Sequence, residues 1–189
     1  DTLSEFTFLL GEPALSEFRQ RKLLDRIQAV AGGRVDLEAR WVYLVESDTA
    51  PVSSDISALQ SLLQGRHDAT LDPDGLLLVV PRLGTQSPWS TKATDIAQHC
   101  GLAGVTRIER GTAFHVSGMD PAQREAVAAC LHDRMTQSVF TSLTAAWALF
   151  EHNEPRSLTW ISVLAEGRAA LERVDRELGL ALSPDEMDY

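Results

Sequence analysis

The 189-residue chain is short of cysteine, of aromatic residues, of positive charge and of long apolar runs. Each shortage closes off a class of function. The two cysteines, Cys100 and Cys130, have no CxxC spacing and sit among apolar helical positions. They read as reduced thiols in the core of a cytosolic protein. Lys and Arg number 17 against 27 Asp and Glu, a formal net charge of -10. A surface this acidic repels phosphate backbones and sets nucleic acid aside as a partner. No apolar run approaches the length of a membrane span, and no basic-then-apolar segment opens the chain, so the expected location is the cytoplasm.

Signatures of catalysis are missing too. The five histidines are scattered, with no HxH or HExxH spacing, and no metal site is expected. His99 adjoins Cys100, and His132 lies close to Cys130, but at helical spacing these pairs point apart and make no nucleophile–base dyad. There is no GxGxxG and no GxxxxGK[ST]. Carboxylates such as Glu125 and Asp133 fall on what should be a solvated helix face. No catalytic residue is assigned.

What is present is an ordinary core-forming composition, 44% hydrophobic and 23% charged. "FTFLL" (6–10) reads as a strand closed by Gly11 and Pro13. Leu15 to Val30 reads as a helix with Leu23, Ile27 and Val30 inward, ended by Gly32-Gly33. "VDLEARWVYLVE" is a long strand rich in branched and aromatic residues, Asp55 to Leu63 a second helix, and "RHDATLDPDG" a loop. The order then recurs. "GLLLVV" (75–80) is a buried strand. Ala93, Ile96, Ala97 and Cys100 lie at i, i+3, i+4, i+7 on a helix. "VTRIERGTAFHVSG" is a strand. Asp120-Pro121 caps a helix with Val127, Cys130, Leu131 and Met135 inward. "SVFTSL" reads as a further short strand.

Two halves therefore share the order strand, helix, long strand, helix, and "LEARWVYLV" (37–45) aligns with "IERGTAFHV" (108–116). The fold class expected is α+β: duplicated ferredoxin-like halves, each a split βαβ unit, with a layered antiparallel sheet and helices. After Leu143 the pattern becomes helical. "TAAWALFEH" is a helix, "NEPRS" a linker, and "LAEGRAALERVDRELG" a helix with Leu171, Val174 and Leu178 inward. The organisation expected is an N-terminal domain over 1–143 and the start of a helical linker domain over 144–189. In "LSPDEMDY", Ser183, Pro184 and Glu186 form a capping box, from which the polypeptide is expected to continue beyond Tyr189.

One junction stands out. "VVPRLGTQSPWSTKATDIAQHCG" crowds Arg82, Thr85, Ser87, Trp89, Ser90, Thr91 and Lys92 between an apolar strand and a helix. Ser87-Pro88 or Ser90-Thr91 can cap that helix, which accounts for the hydroxyls and the proline. Capping does not account for Arg82, Trp89 and Lys92. A helix start with hydroxyls and two cations is a candidate anion site. The alternative is capping combined with docking onto a neighbouring domain, with Trp89 as anchor. Arg107 and Arg110 on the following strand can join the same face, or pair with Glu109 as structural ion pairs.

This junction, "PRLGTQSPWSTKATDIAQHCGL" followed by "VTRIERGTAF", resembles the N-terminal region of the large single-chain phosphoribosylformylglycinamidine synthases, or formylglycinamide ribonucleotide amidotransferases. The shared residues are Pro81, Arg82, Gly84, Thr85, Ser87 to Lys92, Ala93 to Ile96, Cys100 to Leu102 and Arg107 to Gly111. "ALSEFRQRKLL", "LHDRMTQSVF" and "GLALSPDEMDY" carry the likeness over nearly the whole chain. The resemblance implies a parent ligase of purine biosynthesis. It would convert formylglycinamide ribonucleotide, ATP and glutamine into formylglycinamidine ribonucleotide, ADP, phosphate and glutamate. It further implies that ATP and magnesium bind in a later synthetase domain, that a Cys-His-Glu glutaminase follows, and that this segment holds no cofactor and no catalytic residue of its own. Its partners would be the synthetase and glutaminase domains of the same polypeptide. The family's N-terminal domain resembles a dimer of the small separate subunit of multi-chain versions, and a helical linker domain follows it. Two other readings are a stand-alone adapter holding synthetase and glutaminase subunits together, and a ferredoxin-like regulatory module for a small anion.

Overall fold

The structure, a computed structural model, describes residues 4–67, 74–151 and 157–189. The chain divides into two compact units, Asp1–His152 and Asn153–Tyr189. The first is built from β1 (Glu5–Pro13), α1 (Glu17–Ala31), β2 (Asp36–Ser47), α2 (Ser53–Leu63), β3 (Leu76–Pro81), α3 (Pro88–His99), β4 (Val105–Ser117), α4 (Arg124–Leu131), β5 (Gln137–Phe140) and α5 (Leu143–Ala146), with a 3-10 turn at Trp147–Phe150. Its strands form one five-stranded sheet in the order β1-β2-β4-β3-β5, antiparallel throughout, so the fold is α+β. Within each half the two strands lie side by side and antiparallel, β1 on β2 and β3 on β4.

The long strands make the centre. β2 and β4 pair from Asp36↔Ser117 to Glu46↔Arg107, and Trp41 faces Thr112 midway. Three element starts recur at one interval, Glu5 to Leu76, Glu17 to Pro88 and Ser53 to Arg124, while Asp36 to Val105 falls slightly short of it.

Alternation along a strand sorts side chains onto two faces. One face carries Leu37, Ala39, Trp41, Tyr43 and Val45 of β2 beside Ile108, Arg110, Thr112, Phe114 and Val116 of β4. All four long helices cover it, in two pairs. At one end Ile27 and Ala31 of α1 and Val127 and Leu131 of α4 pack on Leu37, Ala39, Leu77, Val79, Phe114 and Val116. At the other end Leu59 and Leu63 of α2 and Ala97 of α3 pack on Leu9, Val45, Val105 and Ile108. The opposite face, with Leu10, Val42, Leu44, Leu76, Leu78, Val80 and Ala113, is covered by Ala146, Leu149 and Phe150. Each fully buried leucine here contributes roughly 1.5–3 kcal/mol.

The outer strands are shorter than the central ones. β1 reaches β2 only from Arg40 to Ser47, and β3 reaches β4 only from Thr112 to His115. The unpaired stretches of β2 and β4 still carry backbone donors and acceptors that need partners. The first helix of each half supplies them. Gln20 Nε2 of α1 donates to the Leu37 carbonyl at 2.6 Å. On α3, Gln98 Nε2 donates to the Val105 carbonyl at 2.8 Å, and Thr94 Oγ1 accepts from the Ile108 amide at 2.9 Å.

That requirement corrects the expected face of α3. Its buried stripe is Ser90, Thr94 and Ala97, while Ile96 is 43% exposed and Cys100 is exposed. A hydroxyl inside outweighs an isoleucine inside because it answers a strand amide. Cys100 is therefore no core thiol, although Cys130 is half-buried and packs on the α1–α4 cluster. Val30 and Met135 also point outward: Ala31 takes the inward place at the end of α1, and Met135 lies beyond the end of α4. The loop reading of 66–75 falls partly on residues 68–73, and the linker reading of "NEPRS" largely on 152–156, both outside the described residues.

In the second unit the expected single helix is interrupted. α6 (Val163–Glu166) and α7 (Arg168–Leu178) meet at Gly167, whose φ of 63° and ψ of -152° are not helical. Ala170 and Val174 are buried, whereas Leu178 is exposed. The capping box forms at α8 (Pro184–Asp188): Ser183 caps the Glu186 amide, and Glu186 accepts from the Ser183 amide and hydroxyl at 2.8 Å. Among the described residues no helix is long and apolar enough to cross a membrane.

Gly111 marks the tightest packing at the centre. A Cβ there would lie 2.6 Å from the Val79 carbonyl oxygen and 2.9 Å from Val80. Gly111→Ala should therefore lower stability by about 1–3 kcal/mol, read as a shift in the urea midpoint at unchanged slope.

Candidate functional site: a loop pinned beneath, an arginine held above

β3 ends at Pro81, and the chain turns through Arg82–Gln86 into the start of α3. Ser87 is the N-cap, its hydroxyl accepting from the Ser90 amide at 3.0 Å, with Pro88 in the first turn. This decides the capping alternative in favour of Ser87-Pro88. Gly84 takes a left-handed φ of 77°, and Thr85 Oγ1 donates to the Arg82 carbonyl at 2.6 Å, which closes the turn.

The loop is pinned from the sheet by a buried ion pair. Glu109 of β4 is fully buried, and Arg107 is 12% exposed. The Glu109 carboxylate accepts from the Ser87 amide (3.3 Å), the Ser87 hydroxyl (2.9 Å), and Arg107 Nε (3.2 Å) and Nη2 (2.8 Å). Arg107 also donates to the Thr85 carbonyl at 2.9 Å and the Leu149 carbonyl at 3.0 Å, and its guanidinium lies 5.2 Å from the Phe150 ring centre. One pair of charges thus fastens the loop, the start of α3 and the 3-10 turn to the same point of β4.

Arg110 lies on the other face of β4. Its guanidinium packs against two indoles at once, 4.3 Å from the centre of Trp41 and 4.8 Å from that of Trp89. Trp89 in turn stacks on Tyr43, centroids 5.8 Å apart. Partial burial raises the Tyr43 phenol above its ordinary pKa of 10.0, the nearby Arg110 charge opposing and Glu12 adding to the rise.

The remaining residues of the junction divide cleanly. Thr85, Thr91, Lys92 and Arg82 are exposed, and Arg82 reaches the Met135 carbonyl at 3.3 Å. Ser90 is fully buried, and its hydroxyl has no hydrogen-bond partner among the described residues. The structure therefore brings Arg107 together with Thr85 and Ser87, and Arg110 together with Trp89, on opposite faces of one strand. Trp41 and Tyr43 were not singled out from sequence. The signal was available, since pairing the two aligned segments about Trp41 and Thr112 sets Tyr43 directly across from Arg110.

The sequence matches a family model, described as formylglycinamide ribonucleotide amidotransferase N-terminal, over residues 40–150. The match runs from within β2 to the 3-10 turn and contains Trp41, Tyr43, the loop, Arg107, Glu109 and Arg110.

Breaking the pair by Glu109→Gln leaves Arg107 buried without its counter-charge. It should cost about 3 kcal/mol or more in urea unfolding, and Arg107→Met added to it should restore part of the loss. The Tyr43 shift has a defined sign: the folded chain keeps the phenol proton at a pH where the unfolded chain has released it. Stability should be unaffected by this group below pH 10 and fall as pH rises above it; Tyr43→Phe should remove that part of the alkaline loss in denaturation monitored against pH.

Proposed function

The chain belongs to the formylglycinamide ribonucleotide amidotransferase N-terminal family, and from that premise we propose that it is the non-catalytic N-terminal domain of a phosphoribosylformylglycinamidine synthase. The parent enzyme makes formylglycinamidine ribonucleotide from formylglycinamide ribonucleotide, ATP and glutamine. ATP and magnesium bind in its synthetase domain, and glutamine is hydrolysed in its glutaminase domain. The loop from Arg82 to Lys92 faces the synthetase domain near the nucleotide substrate or the path ammonia takes to it. The near-equal spacing of elements in the two halves supports descent from a duplicated unit.

The observation that carries the loop's role is its division of labour. Arg107 and Glu109 spend their charges on each other and on the loop backbone. That leaves the exposed Lys92 ammonium, and the exposed Arg82 guanidinium beyond its one bond to the Met135 carbonyl, to face another surface. A rigid, hydroxyl-rich, cationic turn on an acidic chain suits contact with a phosphate or with an acidic face of a neighbouring domain.

Arg82→Ala and Lys92→Ala test this in the full-length enzyme. Loss of a charge-assisted contact should raise KM for formylglycinamide ribonucleotide about tenfold, or release glutamate without matching product formation. An unchanged KM together with unchanged coupling would overturn the assignment.

A further inference from the structure

The two helix pairs cover opposite ends of one sheet face and leave the central row between them, where Trp41, Arg110 and Thr112 stand. β3 stops pairing with β4 at Val79↔Thr112, while on its other edge it stays paired with β5 through Val80 and Pro81. A cavity of about 290 Å³ opens at this splay. Its walls include Trp41, Pro81, Ser87, Arg110, Thr112 and Gln137.

Arg110 is the cation in that wall, and its state differs from that of its neighbour Arg107. Arg107 has an acceptor at Nε, Nη1 and Nη2. Arg110 makes no hydrogen bond and no ion pair among the described residues; its contacts are the two ring faces. An aromatic face takes the guanidinium's flat side and leaves the in-plane N–H donors unanswered. The rings thus hold the guanidinium at the edge of a cavity whose walls include Thr112 and Gln137. A bidentate oxyanion is the group whose geometry fits such a fork. The volume lies at the small end of ligand pockets, which suits a metabolite rather than a polymer.

We propose that this cavity binds a small molecule through a carboxylate or phosphate group held by Arg110. The proposal goes beyond the loop reading, because it concerns the helix-covered face and uses neither Arg82 nor Lys92. If it fails, that reading still stands on its own test. Thr112 and Gln137 would select the ligand's polar remainder, and Trp41 would cover one side of it.

The experiment is a titration of the 189-residue chain with inorganic phosphate and, separately, with acetate, at constant ionic strength. The readout is the Nε–H signal of Arg110 and the indole N–H signals of Trp41 and Trp89 in ¹H–¹⁵N spectra. The expected result is a saturable shift of all three with one of the probes, at millimolar affinity for fragments so small. Phosphate alone would identify a phosphorylated ligand, acetate alone a carboxylate, and both an unselective oxyanion site. Arg110→Lys keeps the charge and loses the fork, and should weaken binding at least about tenfold. No saturable shift with either probe would overturn the proposal. So would shifts confined to other arginines, or undiminished binding by a folded Arg110→Lys chain. Should Arg110→Lys fail to fold, the wild-type spectra decide alone, since they report which guanidinium moves.

Discussion

The first unit depends on the long antiparallel register between β2 and β4. It fixes Trp41 against Thr112, Tyr43 against Arg110 and Leu44 against Glu109. A slip of one residue would exchange the two faces and send Arg110 into the leucines beside Leu78, and Glu109 among the helices. The register is held by apolar residues on both sides of both strands, among them Val42, Leu44, Val45, Ile108, Ala113 and Val116, all buried. Helices then find their places because the sheet face offers two separate apolar ends, each wide enough for two helices.

What the outer strands leave undone determines much of the rest. β3 covers only a third of β4, and the uncovered part needs acceptors, donors and a lid. Thr94 and Gln98 supply the first two from α3. The loop after Pro81 supplies the lid, and it is fastened by charge rather than by strand pairing. A buried ion pair is a weak source of net stability, because desolvation cancels most of the attraction. Its effect here is directional. With the Ser87 amide, the Ser87 hydroxyl and Arg107 all converging on one carboxylate, the chain has one way to leave β3 and enter α3.

Much of this was legible beforehand. The long strands, the buried short ones and the caps at Asp120 and Ser183 follow from residue type, because β-branched runs and N-cap side chains act locally, whereas residue type left Ser87 and Ser90 as alternatives. The α3 face did not follow, since hydrophobic periodicity assumes that the buried side is apolar. Here the buried side faces an incomplete sheet, and Thr94 is drawn in while Ile96 is turned out. The segment "LAEGRAALERVDRELG" reads as one helix, yet the positive φ of Gly167 breaks it in two. The junction's importance was visible in its composition, but its parts were not. That Arg107 and Arg110 point to opposite faces is a consequence of alternation. It became evident only once β4 was known to be regular from Arg107 to Ser117.

The two arginines show how identical side chains acquire different chemistry from position alone. Arg107 meets a carboxylate with no water access, so its charge is neutralised and its donors are filled. It is a structural tie. Arg110 meets two π-faces, which attract its charge without accepting its hydrogen bonds. Replacing either indole by an acidic residue would convert Arg110 into a second tie; keeping both leaves the donors oriented and unspent. The aromatic content of the chain is only 6%, yet Trp41 and Tyr43 of β2 and Trp89 of α3 gather around Arg110. Concentrating scarce rings around a cation does little for the core, which is filled by leucine and valine. It holds a guanidinium still at the one place on this face where the helices part.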